Sequence, residues 1–153
     1  VLIPGVLQLQ YLENSGAAFG ILQNKQVFFY ILTAVVIIAI AVFWVLTNKK
    51  LRKYTDFYGT ENFRKKTFNN ITFLNYILIV LCAGAVGNLI DRVANQYVVD
   101  FIYFIIINFP LFNFADICVT CSAAVLIIFF IFIYKEDPNF PLIGTGRKKK
   151  ADE

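Results

Sequence analysis

Three stretches of the sequence are nearly free of charge and long enough to cross a membrane. Residues 26–47 and 71–90 contain no Asp, Glu, Lys or Arg, and residues 116–134 contain only Asp116. A helix needs about 20 predominantly apolar residues to span the hydrocarbon core of a bilayer. The chain as a whole is 59% hydrophobic and 16% charged. The sequence therefore predicts an α-helical integral membrane protein with three transmembrane helices that form one membrane domain.

Most of the basic residues lie in two tracts that flank these stretches. Residues 48–70 contain seven Lys or Arg, and residues 135–153 contain five. Basic residues accumulate on the cytoplasmic side of membrane proteins, so we predict a basic cytoplasmic loop and a basic cytoplasmic tail. This clustering accounts for the net charge of +4 without a nucleic-acid partner. It also places residues 1–25 and 91–115 on the extracytoplasmic side.

The two extracytoplasmic segments have patterns of their own. Leu7, Leu9 and Tyr11 alternate with Gln8 and Gln10, which is the period of a half-buried strand. A stretch typical of turns follows. Residues 98–115 are apolar but too short to cross before the proline at position 110, which favours a strand or an interfacial helix. We predict a small extracytoplasmic cradle rich in β-structure.

The three cysteines lie inside the apolar stretches. Cys118 and Cys121 form a C-x-x-C pair, which in a soluble protein indicates a redox or zinc site. The sequence has no second pair of this kind and no His to complete a metal site. We therefore interpret Cys82, Cys118 and Cys121 as small apolar packing residues, and we predict no metal site.

Several polar residues are predicted at the extracytoplasmic ends of the spans: Asn14, Asn88, Asp91, Arg92, Asp100, Asn113 and Asp116. Ionisable residues at membrane depth are costly and usually functional. Structural roles are the alternative, because Asp116 or Asn113 could cap the third helix. Asp91 and Arg92 could form an ordinary interfacial ion pair. Asp100 is harder to explain in this way, since apolar residues surround it in the sequence.

Two carboxyl groups in a site of low dielectric constant can hydrolyse a peptide bond. Close carboxylates cannot both ionise, so one keeps its proton while the other acts as a base. The base activates a water molecule, and the acid protonates the carbonyl oxygen and then the leaving amine. Two other classes remain open, a small transporter or channel subunit and a non-catalytic membrane adaptor.

Four sequence strings, taken in order, resemble one known family. They are NSGAAFG at residues 14–20, GNLIDR at 87–92, VVDF at 98–101 and FNFAD at 112–116. Together they resemble the signatures of bacterial lipoprotein signal peptidase, or signal peptidase II. The resemblance covers about residue 4 to residue 134 and leaves the tail unmatched.

The resemblance implies an aspartyl endopeptidase of the bacterial cytoplasmic (inner) membrane, with its active site at the extracytoplasmic face. Such an enzyme removes the signal peptide from diacylglyceryl-modified prolipoproteins, cutting before the lipidated cysteine. The implied partners are this lipid-modified substrate and membrane lipid, with no metal or organic cofactor and with a monomeric enzyme. The resemblance assigns catalysis to Asp100 and Asp116, substrate binding to Asn14, Asn88, Arg92 and Asn113, and structural support to Gly16, Gly87 and Asp91.

The sequence departs from the family pattern at its start. Family members have four transmembrane helices, and nothing here corresponds to the first helix or to the polar string at its outer end. The sequence also contains no Met and starts with Val1. We therefore expect a further helix ahead of residue 1 in the parent protein, which would give it a cytoplasmic start.

Overall fold

Three helices and a two-stranded sheet make up the computed structural model, which describes residues 1–17, 21–58 and 61–134. In chain order the elements are β1 (Leu7–Asn14), α1 (Gln26–Tyr58), α2 (Glu61–Asn95), β2 (Val98–Phe104) and α3 (Phe114–Ile128). A single 3-10 turn, Ile105–Ile107, follows β2, and a π-helical turn, Phe129–Tyr134, continues α3. The predicted basic tail, residues 135–153, lies outside the described residues.

The three predicted transmembrane helices are confirmed. Each helix contains a stretch long and apolar enough to span a bilayer: Gln26–Lys49 in α1, Phe68–Asn95 in α2, and Phe114–Phe132 in α3 and the turn that follows it. Their outward surfaces carry many exposed apolar side chains, including Ile31, Ile38 and Ile79. Lipid rather than protein is the natural environment of such surfaces.

The prediction of a loop over residues 48–70 is wrong for the backbone. α1 continues to Tyr58, and α2 begins at Glu61, so helix covers the described part of this tract. The prediction ended each helix where charge begins, but Lys, Arg and Glu are good helix formers in water. α3 begins at Phe114, two residues before the predicted start of the span.

The predicted small β-sheet is also present. β1 and β2 pair antiparallel, from Leu7 opposite Phe104 to Asn14 opposite Val98, with an irregularity in register between Leu9 and Leu12. Of the two structures expected within residues 98–115, the strand is the one that forms. Asn108, in the left-handed conformation with φ 46°, ends the 3-10 turn and reverses the chain toward α3. This reversal brings Phe112 beside Ile102.

α2 lies between α1 and α3 and packs more closely against α3. Ile71, Leu74, Leu78 and Phe129 form the buried core toward one end of the spans. Further along α2, a Cβ placed on Gly84 would lie 2.6 Å from the Ala115 carbonyl oxygen. Only glycine allows α3 to approach α2 so closely at this position. The approach fixes the start of α3 against α2, beside the polar residues described next.

Candidate functional site

Asp100 lies in the middle of β2 and is almost completely buried, with 2% of its surface exposed. Its two carboxyl oxygens each accept a side-chain amide hydrogen bond, Oδ2 from Asn14 Nδ2 at 2.8 Å and Oδ1 from Asn113 Nδ2 at 2.9 Å. Burial raises the pKa of Asp100, and the nearby Asp116 adds to this effect. The two amide donors and Arg92 lower the same pKa, but burial is the largest influence.

Asp116 lies in the first turn of α3, where it takes part in a capping box. Asn113 is the N-cap residue, and its Oδ1 accepts the Asp116 N–H at 3.0 Å. In return, Asp116 Oδ2 accepts the Asn113 N–H at 3.0 Å. Reciprocal bonds of this kind satisfy helix N–H groups that otherwise lack partners. The structural role considered for Asn113 and Asp116 is therefore present in the geometry.

Asn88 supplies a second donor to Asp116 from the facing helix. Its Nδ2 donates to Asp116 Oδ1 at 2.9 Å, and its Oδ1 accepts from Asn113 Nδ2 at 3.1 Å. Asn113 thus contacts Asp100, Asn88 and Asp116 at once, and it is itself 5% exposed. The structure brings Asp100 and Asp116, from different elements, into hydrogen bonds with this one residue.

Arg92 is buried at the end of α2 and donates to backbone carbonyls. Its Nη2 lies 2.8 Å from the Gly16 oxygen, and its Nη1 lies 3.3 Å from the Asn88 oxygen. The guanidinium lies over the Phe29 ring, with Cζ 4.3 Å from the ring centroid. Asp91 instead accepts the Val99 N–H at 3.2 Å, which joins the end of α2 to the start of β2. These contacts differ from the simple Asp91–Arg92 ion pair considered from the sequence.

The two glycines assigned to structural support have different surroundings. Gly16 is buried, and its N–H donates to Asn14 Oδ1 at 2.9 Å while its carbonyl accepts from Arg92. Gly87 also faces α3, but there is room for a side chain at this position. A Cβ placed on Gly87 would lie 3.4 Å from Ala115 Cβ, which is an ordinary contact distance. The close helix contact occurs at Gly84, which the sequence analysis did not single out.

A cavity of about 580 Å³ opens beside the two carboxyl groups. Asn14, Asn88, Arg92, Asp100 and Asp116 line its polar part. Most of the remaining wall is apolar, formed by side chains of α1, α3 and the segment before α3, including Leu32, Val36, Phe109, Leu111, Phe112 and Val119. An apolar cavity with a few convergent polar groups is the usual form of a ligand site.

The three cysteines lie on α2 and α3. Cys82 and Cys118 are half-buried, and Cys118 lies at the close contact with Gly84. Cys121 is exposed and lines the cavity wall, so it does not fit the prediction of a packing residue. Within the described ranges, no group of three or more His, Cys, Asp or Glu side chains is arranged to hold a metal ion.

Sequence reasoning missed Phe29, which supports Arg92 and lines the cavity. Phe29 and its neighbour Phe28 stand in the same apolar stretch, yet Phe29 is 7% exposed and Phe28 is 47% exposed. Hydropathy does not distinguish a ring that faces lipid from one that faces the site. The signal available in the sequence was the nearness of Phe29 to the start of its span, which the predicted topology places at the same depth as Arg92.

Comparison with known proteins places this chain in a family. A family model described as "Signal peptidase (SPase) II" matches residues 1–132. The chain is 39% identical over 140 residues to a lipoprotein signal peptidase of Clostridium tetani, covering 90% of this chain and 75% of the relative. It is also 39% identical over 135 residues to a lipoprotein signal peptidase of Streptococcus thermophilus, covering 88% of this chain and 73% of that relative.

Two solved structures, both titled as bacterial membrane enzymes studied by the in meso method, resemble the fold. The first, at 2.3 Å resolution, has a TM-score of 0.61 at 32% identity and covers 99% of this chain and 74% of that chain. The second, at 1.9 Å, has a TM-score of 0.58 at 34% identity, with coverages of 85% and 72%. Both similarities cover most of this chain. The chain therefore belongs to the signal peptidase II family of membrane proteases.

Proposed function

We propose that this protein is an aspartyl endopeptidase that cleaves the signal peptide from diacylglyceryl-modified prolipoproteins, with Asp100 and Asp116 as its catalytic pair. The observation that carries the proposal is the position of Asn113, which hydrogen-bonds to both carboxyl groups beside an open cavity. Capping alone accounts for Asp116. Capping does not explain Asp100, a second carboxyl group that is buried in a strand and hydrogen-bonded to the same asparagine.

In the proposed mechanism the pair holds one proton between its two members. We assign this proton to Asp100, because burial raises the pKa of its carboxyl group. Asp116 then takes a proton from a water molecule, and the resulting hydroxide attacks the carbonyl carbon of the scissile peptide bond. Asp100 protonates the carbonyl oxygen to give a tetrahedral intermediate. The C–N bond then breaks as Asp116 returns the proton it took from water to the departing nitrogen, and Asp100 recovers its proton from a hydroxyl of the intermediate.

The asparagines and Arg92 hold the pair and the substrate in this proposal. Asn14, Asn88 and Asn113 each donate to a carboxyl group and keep the two acids in place. Arg92 lines the cavity beside the two acids, so its positive charge is placed to stabilise the negative charge that develops in the reaction. We propose Asn14, Asn88, Arg92 and Asn113 as substrate-binding residues, with Gly16, Gly87 and Asp91 as structural support.

The nature of the substrate follows from the cavity wall and from the depth of the site. The apolar wall suits an acyl-modified cysteine, and we propose that cleavage occurs immediately before that residue. Asp100 follows the end of α2, and Asp116 lies at the start of α3. The distribution of basic residues assigns these helix ends to the extracytoplasmic face. We propose a monomer in the bacterial inner membrane. A transporter fits less well, because its acids would be spread along a path through the bilayer.

Substitution of each acid by its amide tests the proposal. Asp100→Asn and Asp116→Asn in the full-length parent protein are expected to reduce cleavage of a lipidated prolipoprotein peptide by at least about 100-fold. Glu13→Gln is the matched control, since Glu13 is an exposed acid on β1 beside Asn14. Expression and thermal stability are measured for all three variants. Normal cleavage by either Asp variant would remove that residue from the catalytic role.

A further inference from the structure

Two adjacent aromatic residues of α1 hold Arg92 from two directions. Phe29 lies against the face of the guanidinium, 4.3 Å from Cζ to the ring centroid. The Tyr30 hydroxyl donates to the Arg92 carbonyl oxygen at 2.9 Å and accepts from Gln96 Nε2 at 3.2 Å. One residue therefore fixes the side chain of Arg92, and the next fixes its backbone. Both contacts join the extracytoplasmic end of α1 to the end of α2.

A short series of hydrogen bonds runs from Arg92 to the catalytic pair. Arg92 Nη2 donates to the Gly16 carbonyl oxygen at 2.8 Å, and the Gly16 N–H donates to Asn14 Oδ1 at 2.9 Å. Asn14 Nδ2 in turn donates to Asp100 Oδ2 at 2.8 Å. The orientation of the Asn14 amide therefore depends on Gly16, whose carbonyl is held by Arg92.

The geometry of a guanidinium makes this series sensitive to the Phe29 ring. The donors of Arg lie in one plane, so the orientation of that plane determines which oxygens they reach. An aromatic face in contact with the guanidinium holds the plane while leaving its edge free for hydrogen bonds. Leucine at position 29 would keep apolar volume but would lack this flat face. A tilt of Arg92 would release the Gly16 carbonyl and, through it, the Asn14 amide.

We propose that Phe29 and Tyr30 are positioning residues for the catalytic pair, acting through Arg92, Gly16 and Asn14 on Asp100. The inference rests on the proposed function of Asp100 and adds two residues of α1 that lie outside the four sequence strings. Phe29 also lines the cavity, whereas Tyr30 does not. An effect shared by both positions therefore arises from positioning and not from contact with substrate.

The test compares Phe29→Leu and Tyr30→Phe with Phe28→Leu in the full-length enzyme. Phe28 is the matched control, because it is the neighbouring ring on the same helix and 47% of its surface is exposed, against 7% for Phe29. We expect Phe29→Leu and Tyr30→Phe to lower kcat about 10-fold to 100-fold with a smaller change in KM, and Phe28→Leu to have no such effect. Phe29→Tyr keeps the aromatic face and is expected to retain activity.

The pH dependence of cleavage separates positioning from a general loss of stability. The Asn14 hydrogen bond lowers the pKa of Asp100, and the charges that also act on this group are those of Asp116 and Arg92. Loss of the bond raises that pKa, so the alkaline limb of the kcat profile should move to higher pH in Phe29→Leu. Asn14→Ala should move it in the same direction. A variant that is only less stable would keep the wild-type profile.

Two results would overturn the inference. One is a wild-type pH profile for Phe29→Leu and Tyr30→Phe, and the other is equal kcat values for Phe29→Leu and Phe28→Leu. Asp100→Asn, measured in parallel, distinguishes this failure from failure of the proposed function. If Asp100→Asn is inactive while Phe29→Leu behaves like the wild type, only the positioning role is wrong. If Asp100→Asn cleaves normally, both proposals fail.

Discussion

Gly84→Ala is expected to damage both the stability and the activity of this protein. The new Cβ would lie 2.6 Å from the Ala115 carbonyl oxygen and 2.9 Å from both Cys118 Cβ and Val119 Cγ2. The valine methyl can rotate away, but the oxygen belongs to the backbone and the cysteine Cβ is fixed to it. α3 must therefore move away from α2 to admit one methyl group.

The magnitude follows from the kind of contact. Overpacking in a well-packed interior costs about 1–3 kcal/mol, which is a factor of about 5 to 150 in the folding equilibrium. The displaced residue, Ala115, directly precedes Asp116, whose bond to Asn88 Nδ2 measures 2.9 Å. A shift of α3 therefore changes the geometry of the proposed catalytic pair, and displacements of about 1 Å reduce rates by about 100-fold.

Gly87→Ala is the matched control for this prediction. Its Cβ would lie 3.4 Å from Ala115 Cβ, so α3 need not move. Both substitutions replace a helical glycine, and the gain in helix propensity of about 1 kcal/mol therefore cancels in the comparison. Thermal unfolding in detergent and cleavage of a lipidated prolipoprotein peptide are measured for both. Equal stability and equal activity of the two variants would refute the reasoning.

Three further predictions concern the cap, the pH dependence and the topology. Asn113→Ala should lower the free energy of unfolding by about 1 kcal/mol from the lost cap and reduce cleavage as well, and unchanged thermal unfolding would contradict this. A general acid works only while protonated, so activity should fall as pH rises through the pKa of Asp100, which burial raises. Asn14→Ala removes a bond that lowers this pKa, and the fall should therefore occur at higher pH; a fall at lower pH would contradict the assignment. A reporter fused after Tyr58 should be cytoplasmic, and an external reporter would overturn the topology.

The spans could be predicted from the sequence because only a membrane makes about 20 consecutive apolar residues favourable. Their ends could not be predicted in the same way. Lys and Arg in residues 48–58 mark the end of the hydrocarbon region, yet they continue the helix of α1 without interruption. Hydropathy therefore located the membrane segments, whereas helix propensity set the ends of the helices.

The candidate site was predictable in its polar members and not in its apolar ones. Asp100 stood out because a carboxyl group in an apolar segment requires a partner. Phe29 and Gly84 did not stand out, since one is a ring among many rings and the other is one of two glycines on the same helix. Their roles depend on which side chains of other elements face them. Such contacts belong to the tertiary structure, and the local sequence pattern around each residue does not reveal them.

The capping role of Asn113 and Asp116 and their proposed catalytic role support each other. A helix start at the edge of a bilayer has N–H groups that need partners, because little water is available to satisfy them. Asn113 and Asp116 satisfy two of these groups, and the same bonds fix the Asp116 carboxyl group in position. The remaining donor of the cap, Asn113 Nδ2, then reaches Asp100. Folding of the first turn of α3 therefore also assembles the proposed catalytic pair, and a variant that loses the cap should lose this arrangement with it.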